Sequence, residues 1–170
     1  MEHEKGLSSF EWIIVSAFLV VIGIFFWNLL DPLNAYHMSI DMQRKNDFSK
    51  IKAALDVYYG KFQMYPLSTD TTTSKPFRIR GYSPNQLIID WGDDWSPFLS
   101  VLPKDPDKNK NYIYYSTGQA YYLYASLDRG GKDPDACHKD GSVCDNVPDG
   151  ASCGVSAICN YGISSPNVYP

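Results

Sequence analysis

Gly6-Leu7-Ser8-Ser9-Phe10-Glu11 leads directly into WIIVSAFLVVIGIFFWNLL (residues 12–30), nineteen residues without a charge. As a helix rising ~1.5 Å per residue, that run spans about 28 Å, one bilayer hydrocarbon core. Ser16 and Asn28 are its only clearly polar members, and Trp12 and Trp27 stand near its ends, where indoles favour the membrane interface. A membrane-spanning first half of a long N-terminal helix is expected. A cleaved secretory signal has an apolar core of roughly 7–15 residues followed by a small-x-small site. Here the exit reads Asp31-Pro32-Leu33-Asn34-Ala35, with Leu33 where a small residue belongs, so the span is expected to be retained.

Outward from this run the chain is far more polar. Its 170 residues suit one small domain. The aliphatic, aromatic and Cys residues make up 44% and the charged residues 20%, which argues against a mostly disordered chain. Aromatics reach 15%, including 13 Tyr, and suit a β-rich surface or a packed subunit interface. The 15 Lys+Arg against 19 Asp+Glu give a formal charge of −4 with no basic run. Sequence-independent nucleic-acid binding needs several phosphate-neutralising cations on one face, so it is disfavoured.

Glu11 abuts the apolar run. A carboxylate drawn into a membrane costs several kcal/mol unless paired or protonated. At headgroup level it instead caps the helix and complements its N-terminal dipole. The charge alone leaves both readings open. The whole constellation is more specific: Gly6, an apolar Leu7, Glu at the fifth position after Gly, then a long apolar helix. It resembles the type III signal of type IV pilins and pseudopilins.

That resemblance implies cleavage by a prepilin peptidase between Gly6 and Leu7, releasing a leader of residues 1–6. It further implies methylation of the new Leu7 amine and pairing of Glu11 with the Leu7 amine of a neighbouring subunit. Buried anion and buried cation, each costly alone, then compensate only when subunits stack in register. The precursor would sit in the cytoplasmic membrane and, through inner-membrane assembly machinery, enter an extracellular filament made of copies of itself. Loss of Glu2, Glu4 and Lys5 would take the formal charge from −4 to −3. The chain departs from the family pattern in its acidic leader, in Leu7 where Phe or Met is usual, and in Ser9 where an apolar residue is usual.

Beyond the span, Asp31-Pro32 interrupts the helical run, since Pro lacks an N–H and clashes with the preceding turn. A helix then resumes to residue 63, ended by Gly60 and Met64-Tyr65-Pro66. Phe48, Ile51, Leu55, Tyr58 and Phe62 recur at spacings of 3, 4, 3 and 4, one apolar core stripe. Asp41 and Lys45 read as an i,i+4 pair on the solvated side. Residues 67–85 read as a long connection with a short strand at 77–80, and residues 86–90 and 96–102 as single helical turns. Trp91, Asp93, Asp94 and Trp95 read either as a sugar-binding cluster or as a turn with its indoles tucked onto the core. Residues 112–116 and 120–127, bridged by Thr117-Gly118-Gln119, predict a β-hairpin. The order Tyr65-Pro66, Leu102-Pro103-Lys104-Asp105-Pro106 and then a Tyr-rich hairpin resembles the globular domain of pseudopilin-like pilins, including the major pseudopilin of type II secretion. The resemblance covers residues 5–128.

Asp105-Pro106-Asp107-Lys108-Asn109 begins like a calcium loop. It then fails, with Lys110 where Gly is needed and Ser116 where a bidentate Glu is needed, and it reads as a turn. The family resemblance directs a calcium expectation to the loop after the hairpin, onto Asp128, Asp133 and Asp135; a solvated acidic loop is the alternative. Cys137, Cys144, Cys153 and Cys159 lack the CxxC pairs of most zinc sites. In a Gly/Asp/Ser-rich tail, two disulfides are expected. Cys137–Cys144 with Cys153–Cys159 is the simplest of three pairings. Disulfides place the globular part outside the cytoplasm, whereas Arg44, Lys45 and Lys50, counted alone, place it inside. The chain holds no GxSxG, HExxH or Gly-rich phosphate loop, and none of its three His sits among paired carboxylates, so no enzyme is expected.

The expectation is an α+β chain. Residues 1–6 form a leader and 7–63 a long helix, membrane-spanning at 12–30, packed against a small antiparallel sheet in residues 64–136. A disulfide-stapled loop region fills residues 137–170. The function expected from the resemblance is a filament subunit; the alternative is a monomeric membrane-anchored module binding calcium, glycan or a surface.

Overall fold

In a computed structural model, residues 8–81 and 87–170 are described, with backbone alone at 28–30. Two helices, α1 (Ser9–Leu30) and α2 (Pro32–Phe62), open the chain. Five short strands follow: β1 (Ile79–Arg80), β2 (Ile88–Ile89), β3 (Ile113–Ser116), β4 (Tyr121–Ala125) and β5 (Tyr161–Ser164). A 3-10 turn, Gly130–Lys132, lies between β4 and β5. The chain divides into two compact units between His37 and Met38.

In the first unit the helical run breaks at Asp31, which takes the left-handed conformation (φ 36°, ψ 64°) tolerated by Asp. Its carboxylate accepts from the Asn34 N–H at 3.3 Å, so Asp31 closes α1 and caps α2, with Pro32 at the first helical position. The helix passes through Gly23 unbroken.

The second unit has three layers. Phe48, Ile51, Leu55 and Tyr58 of α2 are buried, with Phe62 packed at the edge of the same cluster. They meet one face of the antiparallel sheet β3-β4-β5, where Tyr114, Tyr121, Leu123 and Ala125 are all buried. The Phe48 ring lies 5.1 Å from Tyr112 and 5.3 Å from Tyr161. Alternation in the strands sends Ile113 and Tyr124 to the opposite face, where they pack with Cys144, Cys153, Cys159 and Phe77. The hairpin turns at Gly118 (φ 90°), a conformation that favours glycine, with the Ser116 hydroxyl accepting from the Gly118 N–H at 3.0 Å. Opposite Tyr124 on β5 stands Gly162, where a Cβ would come within 2.8 Å of the Tyr124 ring.

Both disulfides form, Cys137–Cys144 and Cys153–Cys159. The tail is not a separate loop region. It supplies β5, paired with β4, and its cystines form part of a second core. Asn160, buried beside Cys159, accepts from the Leu127 N–H at 2.7 Å and returns an N–H to the Leu127 carbonyl at 3.2 Å. Sparse apolar content hid this strand, because half of Tyr161-Gly162-Ile163-Ser164 is small.

Residues 88–89 form β2, paired antiparallel with β1, rather than a helical turn, and β1 occupies only 79–80 of the expected strand. Trp95 and Leu99 bridge antiparallel, and Asp94 accepts from the Ser96 N–H at 2.8 Å, so residues 96–102 form turns where a helical turn was expected. Gln86 and residues 82–85 lie outside the described residues.

Leu55→Ala, emptying a fully buried position, is expected to cost about 2–5 kcal/mol in equilibrium unfolding of the full chain in micelles. Val57→Ala, two residues away and 61% exposed, should stay within about 0.5 kcal/mol.

Candidate functional site

Two features stand out among the described residues, one in each unit. In the first unit, every residue of α1 whose side chain is described is exposed. Trp12, Phe18 and Trp27 are 60%, 65% and 67% accessible. Full burial of each large apolar side chain is worth about 1.5–3 kcal/mol, so this surface is strongly unfavourable in water. The helix is long and apolar enough, by length and composition, to cross a membrane. Ser16, its one described polar side chain between Trp12 and Trp27, donates to the Ile13 carbonyl at 2.9 Å and so satisfies itself locally.

At the head of α1, Ser8 and Glu11 form a capping box. The Ser8 N–H donates to a Glu11 carboxylate oxygen at 2.6 Å, and the Ser8 hydroxyl accepts from the Glu11 N–H at 3.4 Å. The cap reading of Glu11 is therefore realised geometrically. The expected processing residues Gly6 and Leu7 lie outside the described residues.

In the second unit, Arg44 is fully buried on α2. Its Nε and Nη2 donate to the two oxygens of Asp105 at 2.9 and 3.0 Å, a bidentate fork. Nη1 donates to Asp41 at 2.8 Å and to Asp128 at 3.1 Å. Asp41 also accepts the N–H groups of Asp128 and Arg129 at 2.9 and 3.0 Å, fastening the segment after β4 to the helix. Lys110 pairs with Asp128 and donates to the Ser126 carbonyl at 3.1 Å. One turn along, Asp47 accepts from the Tyr112 hydroxyl at 3.0 Å.

This network corrects the helix-pair expectation and gives the acidic loop its setting. Asp41 and Lys45 do not form a solvated i,i+4 pair: Asp41 is buried against Arg44, and Lys45 reaches across to Asp133 at 2.5 Å and Asp135 at 2.8 Å. The three carboxylates expected to hold calcium are engaged by these cations, Asp128 by Arg44 and Lys110, Asp133 and Asp135 by Lys45. Among the described residues, no group of three or more His, Cys, Asp or Glu is placed to hold a metal ion.

Burial favours the neutral form of Asp128, but Lys110 and Arg44 outweigh it and hold the carboxyl down at about 2. Asp90 is likewise opposed by burial and held at about 2 by Lys75, Arg78 and the Trp91 N–H. Burial also works against the Lys45 charge, yet Asp133 and Asp135 raise its pKa.

The Trp91-Asp93-Asp94-Trp95 group is a turn. Trp95 is buried in the core, and the half-buried Trp91 donates its indole N–H to the Tyr112 carbonyl at 2.8 Å. Sequence reading missed Arg44 as the centre of the unit. A signal existed: continued backward at spacings of 4 and 3, the stripe of Phe62, Tyr58, Leu55, Ile51 and Phe48 lands on Arg44 and Asp41. No protein-family model, curated protein or solved structure matches this chain.

Arg44→Met leaves Asp41 and Asp105 buried without their cation and is expected to lose about 3–5 kcal/mol in denaturant unfolding. Lys50→Met, removing an exposed partner of Asp47, should cost under about 1 kcal/mol. Asp128 and Asp90 sit at about 2 in the folded chain against an ordinary 3.8, so their stabilisation is complete above pH 3.8. It should fall away as pH drops from 3.8 towards 2. The raised pKa of Lys45 acts at the other end, stabilising below its ordinary 10.5 and fading as pH climbs past it. Unfolding midpoints measured across pH would register both limbs.

Proposed function

We propose that this chain is a structural subunit of a type IV pilus or pilus-like filament, held in the membrane as a precursor and polymerised through α1. The observation that carries the reading is an apolar helix with all its described side chains exposed, headed by a carboxylate at the fifth position after Gly6. A surface of that kind needs lipid before assembly and copies of itself afterwards. Packing of apolar helices away from water then drives the polymer. The second unit, with both disulfides closed, suits an oxidising exterior and forms the filament's outer surface.

Glu11 sets the register in this reading. The Ser8 N–H holds its carboxylate at the head of the helix, and Ser8 directly follows in sequence the Leu7 whose amine processing would create. Transfer of that carboxylate to a neighbour's amine exchanges one hydrogen bond for a desolvated ion pair, favourable only where the two meet in the assembled core. The capping box also supports a second reading, in which Glu11 only caps the helix of an unprocessed, membrane-anchored monomer.

The two readings separate on the protein sheared from cell surfaces. Its intact mass and N-terminal sequence are expected to show a chain starting at Leu7, with a methylated amine. A chain retaining residues 1–6, or absent from the sheared fraction, supports the anchored monomer instead. Glu11→Gln preserves a capping side chain while deleting the charge. It is expected to leave processing and membrane insertion intact but abolish filaments; filaments of wild-type length would overturn the register role.

A further inference from the structure

A cleft of about 410 Å³ opens in the second unit, within the range of roughly 300–1,000 Å³ for small-molecule sites. Trp91, Lys104, Asp107 and Lys108 line it, with Arg78 and Asn111. Lys104 and Lys108 are exposed and pair with no carboxylate among the described residues. The other walls are already built. Arg78 donates to Asp90 at 2.7 Å and lies 5.5 Å from the centre of the Trp91 ring, whose N–H is fixed on Tyr112.

The loop carrying both lysines is equally constrained. Asp105, between them, is buried and gripped by the Nε–Nη2 edge of Arg44, and Asp107 turns the chain by accepting from the Asn109 N–H at 2.9 Å. That bond uses one Asp107 oxygen; the other has no protein donor among the described residues. The two ammonium groups are thus tethered to a rigid base, which lowers the ordering cost of binding.

The mixed lining selects the ligand. Two open ammonium groups ask for an anion, yet Asp90 and Asp107 on the same walls repel a densely charged one such as polyphosphate. A polyhydroxylated ring with a single carboxylate meets both demands. Its charge goes to the lysines, its hydroxyls donate to Asp107 and to the side-chain carbonyl of Asn111, whose amide N–H groups are turned to Ser152 and Tyr112, and its apolar edge lies on the half-buried indole. We infer that the cleft between Trp91 and the Lys104–Lys108 loop is a binding site for an acidic saccharide of the uronic-acid class. The inference is independent of filament assembly.

The test uses the full chain in a sugar-free detergent, titrated calorimetrically with trigalacturonate, maltotriose and tripolyphosphate. Saturable binding of trigalacturonate, at least about tenfold tighter than either control, is expected. The doubly substituted Lys104→Gln/Lys108→Gln chain should weaken it by at least about tenfold with the thermal midpoint unchanged, because both side chains are exposed. Asp107→Asn should weaken it while leaving tripolyphosphate no weaker. Equal binding of maltotriose, tripolyphosphate as tight as trigalacturonate, or indifference to the double substitution would each overturn the assignment. So would the absence of trigalacturonate binding to the unsubstituted chain.

Discussion

A guanidinium removed from water must find its counter-charges where it sits, and Arg44 finds three carboxylates drawn from three parts of the chain. Asp41 lies one turn back on α2, Asp105 on the loop before β3, and Asp128 after β4. Each oxygen that turns towards Arg44 brings its segment with it. The pair is costly to desolvate and gives little net stability against an apolar replacement of equal shape. Its consequence is geometric: only one placement of the hairpin and its flanking loops on the helix satisfies every charge. Lys110 and Lys45 extend the same logic, tying Asp128, Asp133 and Asp135 into the unit.

Around that latch the sheet is buried on both faces. One face meets the α2 stripe and the other the cystines. Three strands of four or five residues would be marginal alone; the helix on one side and the covalently closed tail on the other make them stable. The tail also holds the 109–111 segment, through the Asn111 N–H on the Cys153 carbonyl at 3.0 Å and the Val155 N–H on the Asn109 carbonyl at 2.9 Å. The loop bearing Lys104 and Lys108 therefore has fixed ground at both ends, Arg44 behind Asp105 and the cystine loop beyond Asn109.

The first unit carries the opposite arrangement. The apolar side chains of α1 are exposed wherever they are described, and its one described internal hydroxyl is bonded to its own backbone. A helix satisfied in its backbone and unsatisfied in its surface is suited to an apolar surrounding supplied from outside, whether lipid or other helices. The Ser8–Glu11 box closes its N-terminus and leaves the charge at the boundary.

The sequence by itself determined the features whose cause is local. The apolar run, the break at Asp31-Pro32, the core stripe of α2 and the Gly118 hairpin follow from periodicity and backbone chemistry; disulfide formation was legible too, whereas the choice of Cys137–Cys144 with Cys153–Cys159 among three pairings came with the fold. The fate of the charged residues was decided by tertiary structure. Asp41 and Lys45 satisfy a helix-pair rule, yet Asp41 pairs with the buried Arg44 three residues on and accepts the distant N–H groups of Asp128 and Arg129, while Lys45 takes Asp133 and Asp135, 88 and 90 positions away, since a desolvated ion pair outweighs an exposed one. The acidic loop that resembled a cation site is neutralised by Arg44, Lys110 and Lys45, which no local motif brings there. The last strand, Tyr161–Ser164, is a strand because β4 offers it an open edge and Gly162 leaves room for Tyr124. Pairing of that kind exists only once the chain has closed on itself.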